Sequence, residues 1–404
     1  MESLSAEVNE LVKNTLETNG FVDYDVEITG GSEKGDGYLS DIKSINAVEK
    51  TTGKNLTLIL KLTPTSEKFR KVFPVKKLFL RELHMYEKLL PEFDEFQNER
   101  HILNPFASVA RLYGSIAEEY REVLLLENLK ARGFRLCNKK EPLNSEHLEL
   151  GVREYARFHS VSFAFKQLQP EKFSSITEPI KKSVVEEFMD VNEDPNKQRA
   201  FFMDTIEALA HSPQTQTKVM EFAKNWLKLF KEACSNSRYN VVSHGDCWSA
   251  NLMFQYEDEE NPTKPSQLRL IDWQMVGLNL PIADLSYFLY VNGGKEDFYD
   301  YKKYLGIYHN TLGESLSAFG CDVEAIYSFS TFEQQWKTYS KLGLLNGIVM
   351  LGQMVSDAPT HDFVELADKG EDIFDPKLKH ETNKILFNKR INDIVTFLVE
   401  NEFL

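Results

Sequence analysis

One stretch of this chain, S-H-G-D-C-W-S-A-N-L-M-F over residues 243–254, constrains its folding more than any other. It follows a short apolar, strand-like run and carries Asp246 and, five residues later, Asn251. A second strand-like run, L-R-L-I-D-W-Q, has Asp272 at its end. Because the neighbouring strands of a hairpin bring their ends together, we expect these three side chains to lie close to one another. Carboxylate and amide oxygens are ligands that Mg²⁺ takes, together with phosphate oxygens and water.

These three residues can be interpreted in two ways. In the structural interpretation, Asp246 caps a helix that begins at Ser249, and the other two side chains only finish turns. Protein kinases, however, place a catalytic aspartate, a metal-binding asparagine and a downstream metal-binding aspartate in the same pattern. We therefore interpret Asp246, Asn251 and Asp272 as catalytic residues, with Asn251 and Asp272 as the metal ligands.

A lysine and a glutamate in the first third of the chain extend this interpretation. The strand-like run N-L-T-L-I-L-K-L carries Lys61 near its end. On the helix predicted over 76–90, which we expect Pro91 to end, Glu82 falls on the apolar face and Arg81 on the opposite face. A buried carboxylate requires a cation, so the pattern predicts a Lys61–Glu82 pair that aligns the lysine on ATP phosphates. The alternatives are a lysine that merely ends a strand and a glutamate that reaches water.

Two further segments are suited to nucleotide binding. The glycine-rich run G-G-S-E-K-G-D-G-Y (30–38) precedes the lysine strand, where backbone N–H groups would face a triphosphate, although an ordinary turn has the same composition. The run V-L-L-L-E-N-L (123–129) ends a buried strand and is suited to backbone recognition of adenine, although a plain linker between lobes would look alike. The predicted cofactor-binding residues for ATP are therefore Lys61, Glu82, Gly35, Asp36, Gly37, Tyr38, Glu127, Asn128 and Leu129.

The order of the predicted elements indicates an α+β, bilobal protein. Strand patterns dominate the first third and helical patterns the remainder, so we expect an N-lobe over 1–127 and a larger helical C-lobe over 128–404. A net charge of −15 argues against a general nucleic-acid or anionic-membrane binder. Four scattered cysteines and an N-terminus without an apolar signal-like run predict a cytoplasmic protein. No protein partner is evident from the sequence.

The motifs together resemble a known family. H-G-D-C-W-S-A-N and L-R-L-I-D-W-Q, with the lysine, the glutamate and V-L-L-L-E-N-L before them, resemble the small-molecule kinases of the choline and aminoglycoside kinase type. More narrowly, they resemble the ecdysteroid kinase-like family of arthropods, which carries H-G-D-x-W-x-x-N and D-x-Q, matched here by residues 244–251 and 272–274. The resemblance covers nearly the whole chain, and it implies a protein-kinase-like fold that uses ATP and Mg²⁺.

The resemblance also implies roles for individual residues. Asp246 would orient or deprotonate the hydroxyl of the acceptor, while Asn251 and Asp272 would hold Mg²⁺ on the ATP phosphates. His244 would pack beneath the catalytic loop, and Asp284 would cap the helix after the metal-binding aspartate. The expected reaction is transfer of the γ-phosphoryl group to a hydroxyl of an apolar acceptor, such as an ecdysteroid or a xenobiotic alcohol that is phosphorylated in detoxification.

There are three alternatives to this function. A protein kinase is disfavoured, because only eleven residues separate Asp272 from Asp284 and no A-P-E sequence follows. A choline- or aminoglycoside-type kinase for a polar acceptor remains open, as does a catalytically inactive ligand-binding member of the fold. The acceptor-binding residues are expected on helices of the C-lobe and in the polar segment 169–198, which no motif identifies.

Overall fold

The strand patterns of the first third form one antiparallel five-stranded sheet in the order β1-β2-β3-β5-β4, as a computed structural model of the chain shows. The structure describes residues 4–31, 40–185, 202–203, 205–209, 212–258, 260–356, 363–371 and 383–404. The strands of this sheet are β1 (Tyr24–Gly30), β2 (Asp41–Glu49), β3 (Asn55–Leu62), β4 (Leu112–Ile116) and β5 (Val123–Glu127).

The first helix, α1 (Ala6–Thr18), covers one face of this sheet. Ser5 caps its N-terminus by accepting a hydrogen bond from the N–H of Val8 at 3.3 Å, which satisfies one of the free donors of the first turn. Its buried side chains recur at helical spacing and pack on apolar residues of β2, β3 and β5. The result is a small separate core beneath the sheet, whose members include Val8, Val12, Leu16, Ile45, Leu58, Leu60 and Val123.

The helix predicted over 76–90 does not end where the sequence suggested. It runs as α3 (Val75–His84), passes through a π-helical turn (Met85–Leu89) and continues as α4 (Leu90–Glu99). Pro91 therefore lies inside the helical segment, and the prediction that it ends the helix was wrong. A proline is tolerated in the first turn of a helix because its missing N–H is not required there, and the π turn resets the hydrogen-bond ladder just before it.

Most of the remaining chain is helical and surrounds the long helix α5 (Ser145–Leu168). Asn144 caps α5 by accepting from the N–H of His147 at 3.1 Å. The other helices of eight or more residues in the described ranges are α6 (Pro170–Thr177), α7 (Pro213–Cys234), α8 (Pro281–Asn292), α9 (Tyr301–Ala318), α10 (Phe329–Tyr339), α11 (Gly343–Met354) and α12 (Lys384–Glu400). Shorter helices are α2 (Glu67–Val72) and the unlabelled helices Lys295–Tyr299, Val323–Tyr327 and Phe363–Lys369.

A continuous apolar core joins the helical part to the α3–α4 segment. Phe96 of α4 stacks on Phe165 of α5 with ring centroids 4.7 Å apart, and Phe79 and Leu83 of α3 belong to the same buried cluster. The structure thus confirms the α+β class, with a sheet-bearing N-terminal region and a larger helical part. Within the described ranges, no helix has the length and apolar composition needed to cross a membrane.

Two small sheets carry the motif described above. β8 (Leu252–Tyr256) pairs with β9 (Pro265–Leu270), and β6 (Arg135–Leu136) lies on its other side. β7 (Val241–Ser243) pairs instead with β10 (Gly277–Asn279). The hairpin therefore forms between the strands that flank the 257–264 connection, and not with the strand before the motif. It still brings Asn251 and Asp272 to one end, because Leu252 pairs with Leu270, Asn251 directly precedes this pair and Asp272 follows it by two residues.

Candidate active site

Lys61 is held between two carboxylates from opposite parts of the fold. Its Nζ lies 2.6 Å from Oε2 of Glu82 on α3 and 2.9 Å from Oδ1 of Asp272. Glu82 is only 2% exposed, so its charge depends on this lysine. Burial by itself would lower the pKa of Lys61, but the two carboxylates outweigh it and raise that pKa above the ordinary lysine value. The lysine therefore remains charged and can face an anionic ligand.

Two residues beside this cluster adopt left-handed backbone conformations. Asp272 has a φ of 65°, which a non-glycine residue rarely adopts and which is typical of strained functional sites. Gly245 has a φ of 78°, and a Cβ there would lie 2.4 Å from the carbonyl oxygen of Met275. The glycine of H-G-D is therefore required twice, by its backbone angle and by the close approach of the segment after Asp272.

The carboxylate of Asp246 is hydrogen-bonded on both oxygens. Oδ1 accepts from the hydroxyl of Tyr287 at 2.7 Å, while Oδ2 accepts from Nδ2 of Asn251 at 2.8 Å and from Nε1 of Trp248 at 3.3 Å. Burial raises the pKa of Asp246 to about 7, and the negative charge of Asp272 adds to this effect against the opposing hydrogen bonds. A carboxylate with a pKa near neutrality is suited to proton transfer at physiological pH.

The hydrogen bonds that hold the side chain of Asn251 use its Nδ2 and not its Oδ1. Its Nδ2 donates to the backbone carbonyl of Asp246 at 3.1 Å as well as to the carboxylate, and both partners can only accept. The orientation of the amide is thus determined, and Oδ1 is left as a hard oxygen ligand. Together with Asp272, it fits Mg²⁺, which commonly takes one or two protein oxygens and completes its shell with phosphates and water.

No group of three or more His, Cys, Asp or Glu side chains in the described residues is arranged to hold a metal ion. The predicted ligands are one carboxylate, that of Asp272, and one amide, that of Asn251. Such a site holds Mg²⁺ firmly only when a phosphate-bearing ligand supplies further oxygens.

His244 supports the predicted catalytic loop, residues 244–251, from below, as the resemblance implied. It is fully buried, its Nδ1 accepts from the N–H of Asp246 at 3.2 Å, and its Nε2 lies 3.0 Å from the carbonyl of Ile271. These partners require a neutral imidazole protonated on Nε2. Burial lowers the pKa of His244, which agrees with the neutral form.

Asp284 of helix α8 anchors the same loop through its backbone. Its carboxylate accepts from the N–H of His244 at 2.7 Å and from the N–H of Gly245 at 3.0 Å, and Nε2 of His159 lies 3.2 Å away. Burial would raise the pKa of Asp284, but these hydrogen bonds and His159 keep it below the ordinary value. The prediction that Asp284 caps its own helix was wrong: the N-cap residue is Leu280, without a side-chain cap.

Helix α8 contributes two further anchors that the sequence did not identify. Tyr287, one turn after Asp284, binds the carboxylate of Asp246 as described, and Nδ2 of Asn292 donates to the carbonyl of Cys247 at 2.7 Å. Sequence analysis missed both residues, because a tyrosine in an apolar helix has the pattern of an ordinary core residue. Their spacing from Asp284, at three and eight residues on a helix, is the one signal that could have suggested a shared face.

Arg81 lies in a different environment from the one expected. The sequence placed it opposite the apolar face of α3, yet it is only 4% exposed. Its Nη1 donates to the carbonyl of Val276 at 2.8 Å and its Nη2 to the carbonyl of Lys182 at 2.6 Å. The arginine is buried by the segments that carry these two carbonyls, while Lys76, Lys77 and Leu80 of the same helix stay exposed.

The segment predicted to bind adenine, residues 127–129, uses two of its backbone N–H groups within the fold. Within the described residues, the N–H of Glu127 donates to the carbonyl of Arg111 at 2.8 Å and that of Asn128 to the carbonyl of Thr57 at 3.3 Å. The roles of these three residues remain predictions.

The predicted phosphate loop cannot be compared with the structure. Gly35, Asp36, Gly37 and Tyr38 lie outside the described residues. Ser40, at the point where the description resumes, borders a cavity beside Lys61. Its lining comprises the polar side chains of Lys61, Glu82, Thr63 and Gln274 and the apolar side chains of Phe73, Val75, Leu78 and Phe79.

Two solved structures are similar to this chain at low sequence identity. The chain is similar to the solved structure of a spectinomycin phosphotransferase in complex with ADP and spectinomycin (11% identity, 100% of both chains, TM-score 0.44). It is also similar to a GDP complex of an aminoglycoside 2'-phosphotransferase-IIIa mutant (10% identity, 96% of this chain and 98% of that chain, TM-score 0.46). No curated protein matches the sequence.

The sequence also matches a protein family over more than half of its length. The model of the ecdysteroid kinase-like family matches residues 34–321 of the 404, a span that contains Lys61, Glu82, the H-G-D-x-W-x-x-N motif and Asp272. The chain therefore belongs to the ecdysteroid kinase-like family and is a phosphotransferase of the small-molecule kinase type.

Proposed function

We propose that the protein transfers the γ-phosphoryl group of ATP to a hydroxyl group of an apolar small molecule, with Mg²⁺ as cofactor. The observation that carries this proposal is the arrangement of Asp246 beside the Lys61–Asp272 pair. A carboxylate that can accept a proton lies next to a charged lysine and two oxygen ligands. This combination is what phosphoryl transfer requires, because catalysis of that reaction depends on positioning and charge neutralisation.

The acceptor hydroxyl gives its proton to Asp246 while its oxygen forms a bond to the γ-phosphorus. The bond between the γ-phosphorus and the β–γ bridging oxygen breaks, and its electron pair leaves with ADP. Lys61, aligned by Glu82, contacts the α- and β-phosphates. Mg²⁺, held by Asn251 and Asp272, would neutralise charge on the phosphate oxygens when bound.

The remaining assignments belong to the same proposal. Residues 1–127 form the N-lobe and 128–404 the C-lobe, so the nucleotide binds between them. Gly35, Asp36, Gly37 and Tyr38 cover its phosphates with backbone N–H groups, and the 127–129 segment binds adenine.

The proposed acceptor is an apolar alcohol. The name of the ecdysteroid kinase-like family favours this class over a cationic one, for which an acidic pocket is expected. An ecdysteroid, as the family's name suggests, and a xenobiotic alcohol phosphorylated in detoxification fit this chemistry equally well. Choline and aminoglycosides represent the alternative, polar class of acceptor.

Mass spectrometry of acceptor mixtures would test this function. Purified protein is incubated with Mg²⁺ and ATP, or GTP, in the presence of ecdysteroids, other sterols, phenolic glycosides, choline or aminoglycosides, with Asp246→Asn as the control. We expect a phosphoryl gain on an apolar alcohol that the control lacks. A gain confined to choline or an aminoglycoside would reject the apolar acceptor, and nucleotide binding without any transfer would favour an inactive ligand-binding protein.

A further inference from the structure

We propose that Tyr287 is a positioning residue for this reaction: its hydroxyl holds the carboxylate of Asp246 so that Oδ1 is the atom that receives the acceptor's proton. This inference rests on the proposed function and adds to it a residue that no motif identifies. It rests on the hydrogen bonds around Asp246 and on the hydrogen bonds between helix α8 and the catalytic loop.

The first observation is how the two oxygens of Asp246 are used. Oδ2 already accepts from Nδ2 of Asn251 at 2.8 Å and from Nε1 of Trp248 at 3.3 Å. A carboxylate oxygen has about two lone-pair positions, so Oδ2 is saturated. Oδ1 accepts from the hydroxyl of Tyr287 at 2.7 Å and keeps one position open. The acceptor hydroxyl can therefore donate to Oδ1 without displacing a protein group.

The second observation is that Tyr287 cannot easily move. It is only 3% exposed and lies on α8, the helix that also carries Asp284 and Asn292. Those two residues bind the backbone of the catalytic loop on either side of Asp246, at the N–H groups of 244 and 245 and the carbonyl of Cys247. One helix thus holds both the backbone of the loop and the side chain of its catalytic residue.

The third observation concerns the direction of the hydrogen bond. Burial and the nearby Asp246 raise the pKa of Tyr287 well above the ordinary tyrosine value, so its hydroxyl stays protonated and donates. Without this donor, the torsion of the Asp246 carboxylate is restrained on the Oδ2 side alone. A displacement of the base by even a fraction of an ångström lowers the population of reactive geometries.

The test compares two removals of a single hydroxyl from the same helix. Tyr287→Phe deletes the bond to Asp246, whereas Tyr290→Phe deletes a buried hydroxyl one turn later, where Tyr290 packs against Trp336 and Phe397. We expect Tyr287→Phe to lower kcat by about ten- to a hundredfold while the KM for ATP stays within about twofold. Tyr290→Phe should leave kcat close to that of the wild type.

A double-mutant comparison separates positioning from general structural support. If Tyr287 acts through Asp246, then adding Tyr287→Phe to Asp246→Asn should lower the single-turnover rate no further. An equal kcat for Tyr287→Phe and Tyr290→Phe would overturn the assignment, as would the same fold-loss in both backgrounds. A wild-type protein that transfers phosphate to no acceptor and hydrolyses no ATP would instead reject the proposed function, and the assignment with it.

Discussion

The ammonium of Lys61 lies 2.9 Å from the carboxylate of Asp272, although the two residues are 211 positions apart in the sequence. The same ammonium lies 2.6 Å from Glu82, so one lysine compensates two acidic side chains. This contact joins the sheet of the N-terminal region, the helix α3 and the segment after β9 in one cluster. The contacts that align the proposed nucleotide site therefore also stabilise the fold.

Replacing Lys61 should therefore affect stability as well as catalysis. Lys61→Met leaves Glu82 buried without a cation, and removal of one partner of a buried ion pair costs about 3–5 kcal/mol. We expect the free energy of unfolding, measured by urea denaturation, to fall accordingly. The double variant Lys61→Met/Glu82→Gln should recover part of this loss but none of the activity. A Lys61→Met protein as stable as the wild type would contradict the interpretation of the pair.

Replacing Asp246 should affect the rate and not the affinity for nucleotide. Asp246→Asn keeps the shape of the side chain but removes the proton acceptor, so we expect kcat to fall by about a hundred- to ten-thousandfold. The Kd for Mg²⁺-ATP, measured by isothermal titration calorimetry, should change little because the charges of Lys61 and Asp272 remain. A rate close to that of the wild type would remove Asp246 from the catalytic step.

A single methyl group at Gly245 should disturb the catalytic loop. Gly245→Ala places a Cβ against the Met275 carbonyl at a positive φ, and such strain costs about 1–3 kcal/mol. Gly320→Ala is a matched control, since its φ of 75° is similar but its Cβ would meet nothing within 4 Å. We expect Gly245→Ala to lose more stability in urea denaturation and to lose activity, whereas the control keeps its activity. Equal losses of stability would assign the effect to the backbone angle alone.

Stability should also depend on pH through a histidine outside the active site. His147 is 4% exposed, with Nδ1 2.7 Å from Oδ1 of Asn144 and Nε2 2.8 Å from the hydroxyl of Tyr256. Burial lowers the pKa of His147 from 6.5 to about 4. Because the folded state disfavours protonation, the contribution of His147 is complete above about pH 6.5 and is lost as the pH falls towards 4.

Urea denaturation at several pH values would measure this dependence. The free energy of unfolding should decrease between about pH 6.5 and 4, and His147→Gln should make that decrease shallower. His101→Gln, which changes an exposed histidine, is the control and should keep the slope of the wild type. An unchanged slope in His147→Gln would show that other groups cause the pH dependence.

Part of the candidate site could be predicted because its signals are local. Asp246 and Asn251 belong to one short loop, and Glu82 stands out because helical periodicity places it among apolar side chains. Lys61 could be predicted as the partner of Glu82 because a buried carboxylate without a cation costs free energy. Each of these predictions depends only on residues that are close in the sequence and on one general energetic rule.

Other features depend on contacts between distant segments. The true partners of Asp284 are N–H groups forty and thirty-nine residues away, and no periodicity distinguishes that role from a helix cap. The burial of Arg81 and the continuation of the helix past Pro91 likewise reflect what packs around α3 and α4. In each case the local pattern allowed two conformations or partners, and the surrounding structure selected one.

The sequence by itself thus determined the class of the fold, the loop that carries Asp246 and Asn251, and the pairing of Lys61 with Glu82. It could do so because periodicity and charge burial act over short ranges. Only the tertiary structure decided how the strands around the motif pair and that Lys61 also binds Asp272. It alone brought Tyr287 to Asp246, since a tyrosine in an apolar helix becomes part of a site only when packing places a carboxylate against its hydroxyl.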